Sequence, residues 1–304
     1  FDLDESGLDA SFDRHHDAYA RIFERMGLEA IPVDASVGAM GGTGSIEFMV
    51  RSDAGEDWIA TCSCGYAANL ERATSTLPAI EDPAEVPGTE PFPTPGVRTI
   101  ADLVELTGLP ADRQVKTLVY IADDAPVLVL LRGDHDLMEQ KLIDGIGTGQ
   151  VRPAHEEEIV ELLGAYPGSL GAVGVAGQRI IADPALRGRR DLMTGANEDD
   201  VHLRNVDVDR DIAVSEWMDL RSVAVGEPCI ECGAPISLDK TIELGHIFKL
   251  GYKYSESMGL RVTGENGEEI TPIMGSYGIG VERILCVAVE LYRSEEHTSE
   301  LQSR

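Results

Sequence analysis

Apolar and polar positions near the start of the chain follow first a helical and then a strand-like period. Between residues 10 and 26 one face is apolar and the opposite face is charged, which predicts an amphipathic helix. The apolar face consists of Phe12, Tyr19, Ile22, Phe23 and Met26. From Ile46 through Phe48 to Val50, apolar residues alternate with polar ones, which predicts a half-buried strand.

A proline-rich stretch from Thr74 to Gly96 interrupts this pattern. Proline fixes φ and lacks an amide donor, so the stretch should hold neither a helix nor a central strand. Its prolines are Pro78, Pro83, Pro87, Pro91, Pro93 and Pro95. We therefore expect a linker over 74–96, which follows the first part of a domain over 1–73.

Helices and strands are mixed in the region after the linker. Thr99 is placed to cap a helix, and an Asp-Asp-Ala-Pro turn joins two strand-like runs. The predicted elements are strands over 115–122 and 127–132, a helix over 155–163 and a strand over 179–182. This order predicts a compact α+β domain over 97–225, with a boundary near Gly226.

The chain from 226 to 292 returns to strands with glycine-rich turns and ends in a helix. A strand over 274–279 leads directly into a helix over 281–291. The predicted apolar stripe of this helix consists of Ile284, Leu285, Ala288 and Leu291. Cys286 lies on the same helix, and we expect it to pack in the core.

Composition and charge narrow the class of protein. The chain has 304 residues, enough for two domains, and no apolar run approaches the roughly 20 residues that span a bilayer. No signal peptide opens it, so we expect a cytoplasmic protein without a membrane partner. The net charge of −29 argues against nucleic acid, because phosphate binding requires Lys and Arg. If tRNA is the partner, the basic contacts must be local or lie elsewhere.

Four of the five cysteines come in two close pairs, Cys62 with Cys64 and Cys229 with Cys232. Close pairs in a chain without a secretory signal favour a metal over disulfides. The second pair has the Cys-x-x-Cys-Gly form of a zinc knuckle, and the spacing of the first is one residue shorter. The pairs flank the middle domain, so a four-cysteine structural Zn²⁺ site is predicted at its base.

The strongest chemical signal is Met274-Gly-Ser-Tyr-Gly-Ile-Gly-Val-Glu-Arg283. A strand runs through glycines into a helix that carries an arginine in its first turn, where anions are favoured. The dinucleotide fingerprint is excluded, because its third glycine position holds Arg283. Taken alone, the stretch is also compatible with a tight turn and a surface arginine.

Together with Glu243-Leu-Gly-His-Ile-Phe-Lys-Leu-Gly-Tyr-Lys-Tyr-Ser-Glu256, this stretch closely resembles motif 3 and its preceding strand in bacterial prolyl-tRNA synthetases. The resemblance implies that Arg283, beside Gly278 and Gly280, contacts the phosphates of ATP. Ser276 replaces a frequent cysteine of the family. The resemblance also implies a prolyl-adenylate pocket lined by His246, Phe248 and Gly251, although His246 could instead be a satisfied core histidine.

The segment Gly41-Gly-Thr-Gly-Ser-Ile-Glu-Phe48 resembles the glycine-rich turn and Ser-His-Glu-Phe strand of the same family, with Ile46 in place of the histidine. Glu47 is then the candidate that holds the amino group of proline by a charge-assisted hydrogen bond. The alternative is a solvent-facing glutamate on an edge strand.

The middle domain resembles the editing insertion of these synthetases, which is similar to free-standing deacylases of mischarged tRNA. The matching segments are Gln114-Val-Lys116-Thr-Leu, Leu130-Leu-Arg132-Gly-Asp-His135, Pro167-Gly-Ser-Leu-Gly171, and Thr194-Gly-Ala-Asn197 with His202. The resemblance implies that Lys116 binds the end of the tRNA and that His202 orients the substrate. A solvated strand lysine is the alternative for Lys116.

The resemblance also implies that the loop with Gly168, Ser169 and Gly171 offers amides to an ester oxyanion. The family's loop usually reads Gly-x-x-x-Pro, and this chain has Ala172 where the proline belongs. Because proline restricts the backbone, its loss is expected to loosen the fit of the substrate.

The implied fold is α/β and α+β: a class II synthetase core with an antiparallel sheet, interrupted by an α+β deacylase-like editing domain. The implied activity is ligation of proline to tRNA(Pro) with ATP and Mg²⁺, and hydrolysis of mischarged alanyl-tRNA(Pro), in a homodimer when full length. Motifs 1 and 2 and the anticodon-binding domain have no counterpart here, and 293–304 looks like an artefactual tail, so we expect a fragment inactive in aminoacylation. A trans-acting deacylase and a non-catalytic protein that binds tRNA or a partner remain alternatives.

Overall fold

The computed structural model describes residues 1–292, and the tail predicted over 293–304 lies outside the described residues. Seven α-helices are described: α1 (Glu5–Arg25), α2 (Ile100–Thr107), α3 (Glu139–Ile146), α4 (Glu156–Leu163), α5 (Val208–Asp211), α6 (Lys253–Ser257) and α7 (Val281–Tyr292). Short 3₁₀ helices lie at Gly38–Met40, Ala111–Arg113 and Pro184–Leu186. Within residues 1–292, no helix has the length and apolar character needed to cross a membrane.

Sixteen strands are described in the same range. They are β1 (Ile31–Asp34), β2 (Gly44–Arg51), β3 (Asp57–Thr61), β4 (Ala67–Asn69), β5 (Glu90–Pro93), β6 (Val115–Ala122), β7 (Ala125–Arg132), β8 (Val151–Pro153), β9 (Arg179–Ala182), β10 (Leu192–Gly195), β11 (Val201–Val206), β12 (Glu216–Trp217), β13 (Ser237–Gly251), β14 (Val262–Thr263), β15 (Glu269–Ile270) and β16 (Met274–Ile279). The chain divides into one compact unit formed by 1–76 with 223 onwards, and a second formed by 77–222.

The first unit is built on a six-stranded sheet in the order β16-β13-β2-β1-β4-β3. All its pairings are antiparallel except β1 with β4. The long strand β13 pairs with β2 over Thr241–Lys249 and with β3 over Ser237–Thr241, so the sheet curls back on itself. β13 therefore lies between β2, from the segment before the second unit, and β16, from the segment after it.

Helices α1 and α7 cover one face of this sheet. Phe12 and Phe23 of α1 pack with Phe48 of β2 and Val287 of α7 in one apolar cluster. Asp4 caps α1 by accepting a hydrogen bond from the amide of Gly7, which fixes where the helix begins. Successive residues of a strand point to opposite faces, so Glu47 and His246 lie on the other face of the sheet, where Met49 packs in a second apolar cluster.

The predicted stripe of α7 is wrong in part. Val287 is fully buried and Ile284 packs on the same cluster, whereas Leu285 is 66% and Leu291 42% exposed. Cys286 is exposed, so the prediction that it packs in the core is wrong. Each helical residue turns by about 100°, so contact through Ile284 and Val287 carries the residues beside them away from the sheet.

The second unit contains a five-stranded mixed sheet in the order β12-β9-β7-β6-β8 and a three-stranded antiparallel sheet in the order β10-β11-β5. β6 and β7 pair antiparallel through a two-residue turn at Asp123 and Asp124, both with positive φ. The larger sheet is buried on both faces: Leu128 and Leu130 lie in one apolar cluster, and Val129 and Leu131 in another. Such burial explains why β6 and β7 read as almost continuous apolar runs.

Residues 77–96 belong to the second unit instead of forming an independent linker. The carboxylate of Asp82 is only 8% exposed and accepts hydrogen bonds from Arg113, at 2.5 Å, and from Arg189, at 2.7 Å. Further along, β5 pairs with β11 as an edge strand, the sheet position that proline tolerates. As predicted, the proline-rich stretch over residues 74–96 forms no helix. It is nevertheless attached to the second unit, through the ion pairs of Asp82 and the edge pairing of β5 with β11.

Candidate functional site

A cavity of about 610 Å³ opens in the second unit beside β6. Its walls are mostly apolar and come from α2, β6, the loop before Leu170 and the end of β10. The titratable lining residues are Arg98, Lys116, Tyr120 and His202, and within the described chain the lining carries no carboxylate or thiol. The volume is in the range of small-molecule sites.

Lys116 lies in this lining on β6. Its ammonium donates to the carbonyl oxygen of His135 at 2.7 Å and lies 3.3 Å from the carboxylate of Asp136. The Asp136 side chain is 91% exposed, and an ion pair with such a group contributes little stability. The ion pair therefore restrains Lys116 only weakly, and a more strongly bound anion could replace Asp136 as its partner.

His202 is buried and joins three segments of the second unit. Its Nδ1 lies 2.7 Å from the hydroxyl of Thr94, and the ring also hydrogen-bonds to the backbone of Gly168. Burial lowers the pKa of His202, while the bond to Gly168 opposes this, as expected for donation to a carbonyl. A neutral imidazole has one donor and one acceptor nitrogen, so Nδ1 accepts from Thr94. Both nitrogens are then in use, and the ring acts as a brace for the loop.

The loop from Gly168 to Ala172 contributes to the cavity only in part. Gly168 and Leu170 line it, whereas Ser169 is fully buried and accepts the amide of Asp200 on its hydroxyl. The amide of Gly171 donates to Asn197 Oδ1 at 2.8 Å. The structure therefore brings Gly168, Lys116 and His202 to one cavity but leaves Ser169 and Gly171 behind its wall, where the Gly171 amide is already engaged.

Ala172 is fully buried in the apolar core of the second unit. The loop before it is held by Asn197, whose Nδ2 donates to the Gly171 carbonyl at 2.9 Å and whose amide donates to the Ser169 carbonyl. A Cβ added to Gly171 would lie 1.9 Å from the Gly195 carbonyl oxygen, so the packing there requires glycine. The loop is thus restrained from the side, without a proline.

Two buried polar atoms of residues that line the cavity have no hydrogen-bond partner among the described residues. They are Oγ1 of Thr117 and Oε1 of Gln114, whose residues are 8% and 0% exposed. Buried polar groups are nearly always paired, so unpaired ones in a cavity wall need an explanation. Both residues lie in the segment 114–118 that resembles the editing insertion, but a role for them was not predictable, since an unpaired acceptor has no pattern in sequence.

A second polar cluster lies on the sheet of the first unit. His246 Nδ1 is 3.5 Å from a carboxylate oxygen of Glu47 and 3.3 Å from one of Glu243. Arg283 donates to the carboxylate of Glu243. Donor atoms of Glu47, Glu243 and His246 all lie within 4.8 Å of one another, a set that a divalent ion could also use.

Glu47 is not a solvent-facing edge residue. Its side chain is 14% exposed, and burial raises the pKa of its carboxyl group, against the lowering effect of the 2.7 Å hydrogen bond from Asn69. Glu243 behaves oppositely, because hydrogen bonds from His246 and Arg283 lower its pKa. Two nearby carboxylates with opposed shifts create a polar surface that can receive a cation at Glu47.

The remaining predicted residues of the first unit fall into two groups. The ring of Phe248 stacks on His246 with centroids 3.8 Å apart, and Gly278 pairs with His246 across β13 and β16. Gly280 donates its amide to the Leu244 carbonyl and adjoins Arg283. These residues therefore surround the Glu47 cluster.

Gly251 does not join this cluster. It ends β13 with a φ of +69° and lines a different cavity, of about 730 Å³, with Gly42 and Lys253. Ile46 packs against the apolar cluster under α1, on the strand face opposite Glu47. Its side chain therefore points away from the polar surface.

The four paired cysteines converge in the first unit. Cys62 Sγ lies 3.5 Å from Cys232 Sγ, and Cys64 Sγ lies 3.8 Å from Cys229 Sγ. All four sulfur atoms lie within 4.8 Å of one another. The pairs predicted from sequence are thus brought to one point, in a geometry that could hold a metal.

Comparison with known proteins finds similarity along almost the whole chain. Residues 94–212 match the family described as an aminoacyl-tRNA editing domain. Proline–tRNA ligase 1 of Anaeromyxobacter dehalogenans (strain 2CP-C) is 50% identical over 97% of this chain and 52% of that protein. The proline–tRNA ligase of Acidobacterium capsulatum is 45% identical over 95% of this chain and 53% of that protein. The chain spans about half the length of these curated relatives.

Proposed function

We propose that the second unit hydrolyses alanine from mischarged tRNA(Pro). The proposal rests on two similarities: almost the whole chain matches bacterial proline–tRNA ligases, and residues 94–212 match an aminoacyl-tRNA editing domain. Both agree with the family resemblance seen in the sequence. The observation that carries the proposal is the cavity beside β6, which lies in the matched domain and gathers Lys116, His202 and Gly168. The free-standing deacylase and the non-catalytic binding protein are the alternatives that the test must separate.

In this proposal the protein positions the ester and water performs the attack. The Lys116 ammonium exchanges its exposed Asp136 partner for a phosphate or ribose oxygen of the tRNA end. His202, with both nitrogens engaged, keeps the Gly168 loop in place and is a positioning residue. The leaving group is the ribose hydroxyl of the terminal nucleotide, so water supplies both the new bond to the carbonyl carbon and the proton that this hydroxyl takes up.

The unpaired atoms of Gln114 and Thr117 suggest how the amino acid is held. Both are buried oxygen atoms of residues that line the cavity, and the α-ammonium group of an aminoacyl ester offers three donors. We assign them as its acceptors. The apolar remainder of the wall then meets the small alanine side chain.

The test is hydrolysis of alanyl-tRNA(Pro) by this chain. Loss of one charge-assisted contact at Lys116 should slow hydrolysis by about 10–100-fold in Lys116→Ala, the rate equivalent of roughly 1.5–3 kcal/mol. Lys240→Ala removes an exposed strand lysine of the first unit and should leave the rate unchanged. Equal rates in both variants would remove Lys116 from the reaction, whereas no hydrolysis by the folded wild type would refute the editing proposal and favour a binding role.

Thr117→Val, which keeps the shape and removes the hydroxyl, separates substrate recognition from the charge of Lys116. If the assignment is right, it raises KM for alanyl-tRNA(Pro) without unfolding the domain, because one acceptor of the ammonium is lost. An unchanged KM would remove Thr117 from the site and leave the editing activity itself intact.

For the complete protein we propose ATP-dependent ligation of proline to tRNA(Pro), with the first unit as part of a class II core. The cluster of Glu47, His246 and Phe248 would receive the amino group and ring of proline, and Arg283, beside Gly278 and Gly280, the phosphates of ATP with Mg²⁺. The ion pair of Arg283 with Glu243 would have to open for this. Proline-dependent ATP–pyrophosphate exchange by the complete protein, lost in Arg283→Ala, tests it, and exchange that survives refutes the role of Arg283.

A further inference from the structure

We propose that Cys62, Cys64, Cys229 and Cys232 bind one structural Zn²⁺ ion that fastens together the two chain segments flanking the second unit. The sulfur positions support this directly. Zinc–thiolate bonds of about 2.3 Å in a tetrahedron place the sulfur atoms about 3.8 Å apart. The two measured separations are 3.5 and 3.8 Å, and all four atoms lie within 4.8 Å of one another.

Each cysteine pair sits on a tight turn that aims both sulfur atoms at the same point. In the first turn, the Gly65 amide donates to the Cys62 carbonyl at 3.0 Å, and Gly65 has a φ of +105°. In the second, the Gly233 amide donates to the Cys229 carbonyl at 2.9 Å, and Gly233 has a φ of +73°. Backbone amides in such turns point towards the sulfur atoms and favour thiolates. The short Cys-x-Cys spacing is therefore no obstacle.

The surroundings favour a closed, structural ion over a catalytic one. Four protein thiolates fill a tetrahedral shell and leave no position for water or substrate. Cys229 is almost fully buried and packs with Ala60, Val223 and Ile236 in a small apolar cluster. Such a small cluster offers limited hydrophobic stabilisation, so a metal can contribute much of the local stability.

Disulfide bonds are the competing explanation. A bond of about 2.0 Å between Cys62 and Cys232, or between Cys64 and Cys229, would need each pair to approach by about 1.5 Å or more. Two such bonds would also separate the sulfur atoms into independent pairs, whereas the four are mutually close. A single shared ion accounts for all the separations at once.

The position of the ion gives it a mechanical role. Cys62 and Cys232 are separated by 170 residues, yet they lie next to β3 and just before β13, which pair directly. An ion at this point closes the long loop that contains residues 77–222 and restricts the unfolded chain. Zinc therefore stabilises the first unit where its sheet is interrupted in sequence.

The experiment measures metal content on the chain purified without chelator and with a reducing agent. We expect about one zinc per chain by elemental analysis after dialysis, and less than a tenth of that in Cys229→Ser and in Cys232→Ser. Cys286→Ser, which removes an exposed cysteine on α7, is the matched control and should keep the ion. Cobalt substitution of the wild type should give the intense visible bands of a tetrahedral thiolate site.

The outcomes separate the explanations. Metal-free, folded wild type whose thiols all react with a thiol reagent would overturn the proposal, and so would mass spectrometry showing two disulfides under reducing conditions. If Cys229→Ser does not fold, Cys232→Ser at an exposed ligand and the cobalt spectrum of the wild type still decide. Zinc retained at full stoichiometry in both ligand variants would place the metal elsewhere and refute the site.

Discussion

Replacing Asn197 with alanine should detach the loop that forms one wall of the cavity. The Asn197 side chain pairs with both the amide and the carbonyl of Gly171, at 2.8 and 2.9 Å. Its backbone has a φ of +57°, in the left-handed region that asparagine tolerates better than alanine. Alanine therefore removes two hydrogen bonds and strains the turn at the same time.

The expected loss follows from these two effects. A buried backbone group left without a partner costs about 1–3 kcal/mol, and Gly171 is buried. The left-handed conformation adds about 1–2 kcal/mol for an alanine. Because both the amide and the carbonyl of Gly171 lose their partner, we expect Asn197→Ala to lower the unfolding free energy of the second unit by about 3–8 kcal/mol. Asn197→Gly loses the same hydrogen bonds without the strain, so it should fall between alanine and wild type.

The assay must report the second unit alone, because a chain with two units need not unfold in one step. The chain has two tryptophans, Trp58 in the first unit and Trp217 in the second. In a Trp58→Phe background, urea unfolding followed by Trp217 fluorescence isolates the second unit. Hydrolysis of alanyl-tRNA(Pro) by the same samples then shows whether the cavity wall has moved.

Two results would refute this reasoning. If Asn197→Ala unfolds at the wild-type urea concentration, other contacts hold the loop and the paired hydrogen bonds contribute little. If it is destabilised but hydrolyses alanyl-tRNA(Pro) at the wild-type rate under folding conditions, the loop position does not matter for editing. Reduced stability with a reduced rate in alanine, and a smaller reduction of both in glycine, is the expected pattern.

Three further predictions concern buried charges. Burial lowers the pKa of His135, so its contribution to the unfolding free energy is complete above the unfolded pKa of about 6.5 and is lost as pH falls through the folded pKa. Urea unfolding at a series of pH values should show this decline in stability. The decline should be smaller in His135→Phe. Asn69→Ala should raise the pKa of Glu47 further, as measured by carboxyl NMR titration, because it removes a bond to the charged form; an unchanged or lower pKa would contradict this. Asp82→Asn should destabilise the second unit by about 3–5 kcal/mol, since it leaves the charges of its buried arginine partners uncompensated. Glu85→Gln, at an exposed position, should have no effect. Similar unfolding midpoints for the two variants would refute the role of Asp82 in holding residues 77–96 to the second unit.

Elements with a strong period were predictable from the sequence, and those defined by distant partners were not. The strand over 115–122, the strand over 179–182 and the helix capped by Thr99 lie where local pattern placed them. Short strands such as β4, β8 and β12 were missed, because two or three residues carry no period and exist only through their pairing. The reach of β13 to both β2 and β3 was likewise outside local pattern.

The cysteine cluster and the polar cluster around Glu47 show what motif matching adds. Residues far apart in sequence were assigned to common sites, and the structure brings Glu47 to His246 and Cys62 to Cys232. Motif matching does not reveal which atoms are already engaged. The Gly171 amide, expected to face the substrate, instead donates to a side chain 26 residues later.

That same contact resolves the question raised by Ala172. A proline at this position would restrict the loop from within the chain, by limiting its own φ and that of its neighbour. Here the restriction comes from outside the loop. The Asn197 side chain hydrogen-bonds to both the amide and the carbonyl of Gly171, and Gly195, which has no side chain, lets the backbone of the loop approach closely. Because Ala172 itself is fully buried in the core, its small side chain completes the packing beneath the loop. The absence of proline therefore does not imply a loose site, and editing should be tolerant of Ala172 for as long as Asn197 is present.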